Sequence, residues 1–407
     1  MDKLYIGALA LSVCSIGKVM AQTVNIGEFT IKSGTVVSTV SNFDNTPSGD
    51  VINDGTLLLY SDYNNDGLLS FTPNTNTGLT YFKGLSGAQK ITGTIISELN
   101  NVHFENKNTQ PAFLLAGDIS ISGLSEFDKG IIDNTNYNGI LIFEGNASHK
   151  SACNDSYVDG YVVRNNNKDF EFPIGNGGYF RPSAISKIAS KDDIFKSKYL
   201  LQNSDCQTRP HSQKQKLIDI IDDAEYWEFE STQRDIDVAL TLSWNEDTTP
   251  DNIINGQKDS SIAIVRWDDA DAEWKYYTTA VDQANKVATA AIKNQGIFTL
   301  ARIFADIPDE VIVYNGVSPN GDGLNDFFRI DGLEDFPENS LQIYNRWGVK
   351  VYETSGYGVN NNWFRGYSEG RVTVNKGEKL PTGTYFYVLH YKGIRNEKEK
   401  VGYLYVN

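Results

Sequence analysis

The sequence predicts an all-β protein with three successive β regions, and three observations carry that prediction. Residues 235–244 alternate strictly, with Ile236, Val238, Leu240, Leu242 and Trp244 on one face and Asp237, Ala239, Thr241 and Ser243 on the other. That period of two marks a half-buried antiparallel strand. Residues 22–155 break into short apolar pieces, among them Leu57-Leu58-Leu59, Phe113-Leu114-Leu115 and Ile140-Leu141-Ile142, separated by Asn/Asp/Gly corners. The chain closes on two aromatic, β-branched runs, residues 384–391 and 401–406.

Each region has its own texture. In residues 22–155 the corners are Asn53-Asp54-Gly55, Asn65-Asp66-Gly67, Asn76-Thr77-Gly78 and Asn138-Gly139. Such residues tolerate the left-handed backbone of tight turns. Short strands with these corners suit a β-solenoid or an open sandwich, and the brevity of the pieces favours the solenoid. In residues 156–305 the strands lengthen and Trp227, Trp244, Trp267 and Trp274 appear, as a β-sandwich core requires. Helix candidates are few and short, at residues 192–201 and 212–221. Pro308 among acidic residues marks a linker at residues 304–309, after a last strand at 296–303. Residues 310–407 are the size of one small Ig-like β-sandwich.

The two ends and the charge bound the function. Lys3 followed by the apolar residues 4–13 and the small-residue site Val19-Met20-Ala21 reads as a signal peptide, 1–21, cleaved before Gln22. Cys14 follows bulky Val13, which disfavours a lipoprotein site. The longest apolar run, residues 5–16, is shorter than the ~20 residues of a membrane span. Across its 407 residues the chain carries 36 Lys and Arg against 52 Asp and Glu, a net charge of −16. Nucleic acid and anionic membranes, both polyanions, are thereby excluded as general partners. Cys153 and Cys206, the cysteines left after cleavage, either form one disulfide in an oxidising compartment or stay as buried thiols.

The C-terminal region carries the most specific pattern. It contains Pro319-Asn320-Gly321-Asp322-Gly323-Leu324-Asn325-Asp326, then Tyr344-Asn345-Arg346-Trp347-Gly348, then Asn362-Trp363, then Gly383-Thr384-Tyr385-Phe386-Tyr387. In this order the blocks resemble the gliding-motility-associated C-terminal domain, the type B sorting domain of type IX secretion cargo. The resemblance covers about residues 310–407. It implies a partner, the type IX machinery, and a protein secreted or held at the cell surface. Two departures from the family pattern are the stretched Trp363-Phe364-Arg365-Gly366 and an end, Val406-Asn407, without a terminal Lys or Arg. Residues 151–182 more loosely resemble segments of large surface proteins that carry the same C-terminal domain.

Read for chemistry, residues 345–348 form a hairpin turn with Gly348 at positive φ, and Gly383 does similar work at the entry to the aromatic strand. Asn320, Asp322, Asn325 and Asp326 could wrap Ca²⁺; the alternative is a tight turn held by Asx hydrogen bonds, and a downstream bidentate Glu is missing. The string Asp62-Tyr63-Asn64-Asn65-Asp66-Gly67 opens like an EF-hand loop, but its twelfth position is Pro73, so it reads as a turn. His103, His149, His211 and His390 have no zinc spacing. The pairs Asp222/Asp223, Asp268/Asp269 and Asp192/Asp193 read as solvated surface, since neighbours on a strand face opposite sides. Asp247-Thr248-Thr249 resembles a short O-glycosylation signal; a plain loop before Pro250 is the simpler reading. No catalytic set emerges and no cofactor beyond Ca²⁺ is implied. Residues 22–305 therefore read as a non-enzymatic, adhesin-like or surface-structural module whose partners are glycans or other surface proteins. The rival is a secreted polysaccharide hydrolase or lyase with carboxylates paired only by the fold.

Overall fold

The computed structural model describes residues 22–75, 77–165, 168–186, 193–233, 236–257, 260–304, 311–368, 377–392 and 397–407. Residues 1–21, expected to be a signal peptide, and residues 305–310, where most of the expected linker falls, lie outside the described residues. The chain divides into two compact units, Met1–Ala305 and Asp306–Asn407.

Residues 22–165 coil into a three-faced parallel β-solenoid. The first face stacks Gln22–Asn25, Asn42–Asn45, Tyr63–Asn65, Gln89–Thr92, Phe113–Leu115, Ile132–Asp133 and Val158–Asp159. The third stacks Val36–Thr39, Thr56–Leu59, Leu79–Lys83, Asn101–Glu105, Leu124–Lys129 and Ser148–Lys150. The second begins with Glu28–Ile31, Asp50–Asn53 and Leu68–Ser70 and resumes with Ser97–Leu99, Ile119–Ile121, Leu141–Glu144 and Val162–Asn165. Alternate residues point inward, so Leu57, Leu59, Phe82, Phe104 and Phe127 fill the interior while their neighbours face out. Inside, rings repeat from coil to coil: Phe82 stacks on Phe104 at 5.5 Å and Phe43 on Tyr63 at 6.1 Å.

At one corner the stacking is locked by an asparagine ladder. Asn25 Nδ2 donates to Asn45 Oδ1 at 2.9 Å, and Asn45 Nδ2 donates to Asn65 Oδ1 at 2.7 Å and to the Leu68 carbonyl at 2.9 Å. Asn65 Nδ2 in turn donates to the Ile95 carbonyl at 3.1 Å. The corner leaves backbone carbonyls without strand partners, and the buried side-chain amides of Asn45 and Asn65 satisfy two of them. It also forces glycine at position 49, where a Cβ would lie 2.0 Å from Asn45 Oδ1. The string at residues 62–67 belongs to this frame: Tyr63–Asn65 is strand, and Asp66 Oδ1 accepts from the Thr94 amide and hydroxyl at 3.0 and 2.7 Å.

The second face does not stop at the solenoid. Val162–Asn165 pairs antiparallel with Ile194–Leu200, and the sheet continues through Tyr226–Ser231, Gly296–Phe304, Ser260–Asp268 and Glu273–Tyr276. A second sheet, Phe170–Phe172, Ser183–Ile185, Val238–Ser243, Val287–Ile292 and Thr279–Asp282, lies over it. One apolar core runs unbroken from Ile31 to Leu300, so pairing changes near residue 160 while packing does not. The alternation in residues 235–244 forms the strand Val238–Ser243, and Val238, Leu240 and Leu242 within it are buried, as are Ile236 and Trp244 on either side. Trp267 and Trp274 meet at 5.8 Å in a separate small cluster with Ile218, Ile221, Val265 and Ala301.

Neither helix candidate is helical among the described residues: the first holds the strand Ile194–Leu200, and the second is turn and loop before the strand Ile218–Ile221. In Ile194–Leu200 the residues Phe195, Ser197 and Tyr199 point inward, a period of two that two flanking strands enforce over local propensity. Helix among the described residues is one turn, Asp251–Ile254, with the short 3₁₀ turns Leu333–Asp335 and Val359–Asn361.

The second unit is β as well. Its five-stranded sheet runs Gly316–Val317, Glu397–Val406, Gly383–Lys392, Asn339–Tyr344, Lys350–Ser355, and Ile312–Val313 pairs separately with Ile330–Asp331. The core brings Leu341, Ile343, Tyr387 and Leu389 of the sheet against Phe328, Ile330, Tyr357 and Phe364.

Asn45→Ala removes the centre of the ladder and strands the buried Asn65 Oδ1 and the part-buried Leu68 carbonyl. Urea denaturation should show a loss of about 2–3 kcal/mol. Asn25→Ala, at the half-buried end, should cost about 1 kcal/mol or less.

Candidate functional site

In the second unit, the sequence blocks become three loops and a strand. The acidic loop follows Gly316–Val317. Asp326 is its hub, Oδ1 accepting from the Gly321 amide at 2.7 Å and Oδ2 from the Gly323 amide at 2.9 Å. Asp322 Oδ1 accepts from the Leu324 amide at 2.8 Å and Oδ2 from Asn320 Nδ2 at 2.8 Å. These two bonds, the Leu324 amide first, hold the Asp322 carboxyl below its usual range. Asn325 takes a φ of 54°, and its carbonyl accepts from the Ser318 amide at 2.8 Å. Three of the four residues proposed as Ca²⁺ donors, Asn320, Asp322 and Asp326, thus turn side-chain oxygens to the loop's own amides as Asx hydrogen bonds. Among the described residues no group of three or more His, Cys, Asp or Glu could hold a metal ion.

The second block is a hairpin turn. Asn345 Oδ1 accepts from the amides of Trp347 and Val349, both at 3.0 Å, and Gly348 has a φ of 75°. Arg346 lies over the Trp347 ring at 4.1 Å, and Trp347 is 71% exposed. Asn362 ties the next segment by donating to Thr354 Oγ1 at 2.7 Å, while Trp363 packs on Phe327 and Tyr357 at 4.7 and 5.5 Å. Pro319 closes against Gly366, where a Cβ would come within 3.0 Å of its ring. In the last block Tyr385 and Tyr387 enter the core. Gly383 corrects expectation: it does not take positive φ, because the chain enters the strand already extended.

At one end of the strand pair Gly383–Lys392 and Glu397–Val406, the outward side of this sheet carries an apolar, mostly aromatic strip. Phe386 lies opposite Tyr344 and Tyr403, Tyr405 opposite Thr384, and Val401 opposite Val388. Phe386, Tyr403, Tyr405 and Val401 are exposed. Beside them, Trp347, Val351, Pro381 and Phe386 contribute to an open cleft of about 670 Å³.

In the first unit the structure gathers a site that sequence reading missed. Arg181 and Glu225 are buried and paired, Arg181 Nη2 donating to Glu225 Oε1 at 2.8 Å. Arg181 also donates to Thr248 Oγ1 at 2.8 Å and to the Ser243 carbonyl at 2.6 Å, and its guanidinium lies 5.4 Å from the Trp227 ring. Tyr199 donates to Glu225 Oε2 at 2.6 Å, and Thr249 donates to Oε1. Asp222 joins this group, contrary to its reading as surface, whereas Asp223 is exposed. Burial first, and then the Glu225 charge, raise the Asp222 carboxyl well above its usual range. Thr248 and Thr249 are buried by the same contacts, so Asp247-Thr248-Thr249 is a packed loop rather than an exposed modification signal. The available signal was Arg181 inside Tyr-Phe-Arg-Pro, a charge amid apolar residues.

Cys153 and Cys206 are free and exposed, neither bonded nor buried. Each starts its own tight turn, bridging Ser156 and Arg209 respectively. The histidines go to separate duties. His103 stacks on Tyr81 at 4.1 Å, His149 Nε2 lies 2.7 Å from the Glu171 carbonyl, His211 pairs with Ser204 at 2.8 Å, and His390 faces outward near Glu399. Acidic residues are register partners across coils at two places among the described residues, Glu28 with Asp50 on the second face and Asp133 with Asp159 on adjacent parallel strands of the first. Burial raises the Asp159 carboxyl, while Asn176 Nδ2 donates to both its oxygens at 3.0 and 3.1 Å.

Residues 311–406 match the family of the CHU_C type IX secretion signal domain. No curated protein and no solved structure matches the chain. The match makes the C-terminal domain a type IX secretion signal, which marks the chain as cargo for export to the medium or the cell surface.

The raised Asp222 carboxyl has a pH consequence. A buried acid that binds its proton more tightly when folded loses stability as pH rises above its unfolded pKa of about 4. The chain should therefore grow less stable from pH 4 upward through this group. Asp222→Asn should flatten that limb of a Tm-against-pH profile and melt higher at pH 8; an unchanged profile would assign the dependence elsewhere.

Proposed function

We propose that the chain is a type IX cargo whose signal peptide, residues 1–21, is removed, and whose first unit serves outside the cell as a non-catalytic, adhesin-like or surface-structural module. The observation that carries the reading is the third solenoid face. Its outward side chains are committed to one another across coils. Tyr81 stacks on His103 with planes 6° apart and donates to Glu105. Lys107 and Lys83 close on Glu105 at 2.8 and 3.1 Å, and Lys150 on Glu126 at 2.9 Å. Lys107 first, and then the Tyr81 hydroxyl, hold the Glu105 carboxyl down to about 2. A flat, self-paired wall on a continuous core is suited to a rigid spacer or a broad docking face.

The secretion machinery, in this reading, recognises the outward aromatic strip of the C-terminal sheet. Apolar side chains kept in water on one sheet face mark an interaction surface. A reporter fused to residues 311–407 should leave a type IX-competent cell. Phe386→Ser with Tyr403→Ser should cut export at least tenfold while leaving the domain's melt unchanged, because both side chains lie outside the core.

A polysaccharide-acting enzyme is the second reading, favoured by the register pair Asp133 and Asp159, with Lys198 acting on Asp159 electrostatically. Adjacent strands lie about 4.8 Å apart, near the carboxyl spacing of retaining glycosidases. Glycan arrays and a polysaccharide-degradation panel, both run on the purified chain, separate the two. Binding without turnover supports the module; turnover abolished by Asp159→Asn supports the enzyme.

A further inference from the structure

The two ends of the solenoid are finished differently. At the C-terminal end the second face passes into the sandwich, and the hairpin of Gly175–Asn176 and Tyr179–Phe180 covers the corner beside it. Asn176 holds Asp159, the Gly178 amide donates to Tyr157 Oη at 2.9 Å, and the Phe180 amide donates to Asn154 Oδ1 at 2.8 Å. At the N-terminal end each strand of the first coil is the last of its sheet among the described residues.

The direction of the bare groups can be read from the bonds that do form. The second coil donates to the carbonyls of Asn25, Gly27, Ile31, Thr35 and Thr39. Backbone polar groups alternate sides along a strand, so Val24, Glu28, Thr30, Val36 and Ser38 turn theirs away from the second coil. Edges of this kind are normally blunted by Lys, Pro or a bulge. Residues 22–40 contain no Pro and only Glu28 and Lys32 as charges, in a chain whose net charge is −16. Val24, Ile26, Val36 and Val40 are exposed there, at 45%, 68%, 63% and 71%.

We propose that this end pairs with the same end of a second copy, joining two solenoids head to head. A single extended peptide would satisfy one side of a three-sided edge; a second coil satisfies all three. A two-fold axis perpendicular to the coil axis reverses the sense in which the chain circulates, so every edge strand meets its partner antiparallel. The operation maps one face onto itself and exchanges the other two. The three edge strands Gln22–Asn25, Glu28–Ile31 and Val36–Thr39 are each four residues long, so the exchanged sides match. Equal numbers of acidic and basic charges in this coil remove the repulsion that the rest of the acidic chain would impose.

The test is sedimentation equilibrium together with hydrogen exchange on the chain from Gln22 to Asn407, and on the same chain with residues 1–21 attached. A dimer is expected whose formation protects the amides of Val24, Glu28, Thr30, Val36 and Ser38. Val24→Lys with Val36→Lys, which places like charges across the junction without altering the backbone, should weaken dimerisation at least tenfold. Thr30→Pro, which removes an outward N–H, should act in the same direction. A monomer at all concentrations with these amides unprotected overturns the proposal, as does a dimer indifferent to both variants or one protected only within residues 383–406. Protection in a monomer only when residues 1–21 are attached assigns the end to that segment and overturns it as well.

Discussion

A strand at the edge of a sheet must find a partner, and much of the first unit follows from how its solenoid meets that demand. Each coil supplies three strands and presents three new edges, so the fold cannot end on its own terms. Near residue 160 the second face ends the series by accepting Ile194–Leu200 in the opposite direction. From there the same sheet becomes one layer of a sandwich, and the interior passes from Phe104 and Phe143 into Phe170, Phe229 and Phe298 without a gap. The third face closes differently: His149, on its last strand, reaches the Glu171 carbonyl and packs among the rings of Phe127, Phe143 and Phe170.

Within the sandwich, the polar centre is the counterpart of that continuity. Burying Arg181 with Glu225 costs solvation that their mutual attraction repays only when the remaining donors and acceptors are also met. Thr248, Thr249, Tyr199 and the Ser243 carbonyl meet most of them, which draws the loop before Pro250 and the two sheets to one point. Arg181 Nε and Asp222 Oδ2 stay without hydrogen-bond partners among the described residues. Asp222 therefore adds a second acid beside a pair already balanced. That surplus is why burial and the neighbouring charge both press it toward its neutral form.

Much of this was legible in the sequence wherever one periodicity dominated. The alternation at residues 236–244, the Asn/Gly corners and the C-terminal blocks each follow from a local rule: a two-residue period, a positive φ, a turn capped by its own side chain. What stayed hidden depends on partners distant in sequence. Asn25, Asn45 and Asn65 recur every twenty residues, yet a ladder exists only once the coils stack; aligning the chain with itself at that offset would have exposed it. Residues 194–200 are extended because strands on both sides hold them so, a tertiary effect that local propensity does not record. Asp222 beside Asp223 looks like surface by rule, and the arrival of Glu225 and Arg181 from elsewhere makes it interior. The acidic loop's oxygen-rich composition suits a cation and a self-capped turn equally, and only the fold shows which amides Asp322 and Asp326 accept from.

Address and passenger handle exposed surface in opposite ways. In the C-terminal sheet, Tyr385, Tyr387 and Leu404 face in while Phe386, Tyr403 and Tyr405 face out, so this end of the strand pair is apolar on both sides. A solvated sheet face usually carries polar side chains, and keeping rings there has a cost in solubility that only a partner relieves. The solenoid's third face places Lys, Glu, His and Tyr outward and pairs them among themselves, which lowers the gain from any single contact with a ligand. Binding to such a wall would have to come from many weak contacts over several coils, as in adhesion, whereas the aromatic strip can be read by one compact receptor surface. The same chain thus carries a small exposed apolar strip and a larger face whose polar groups are already paired.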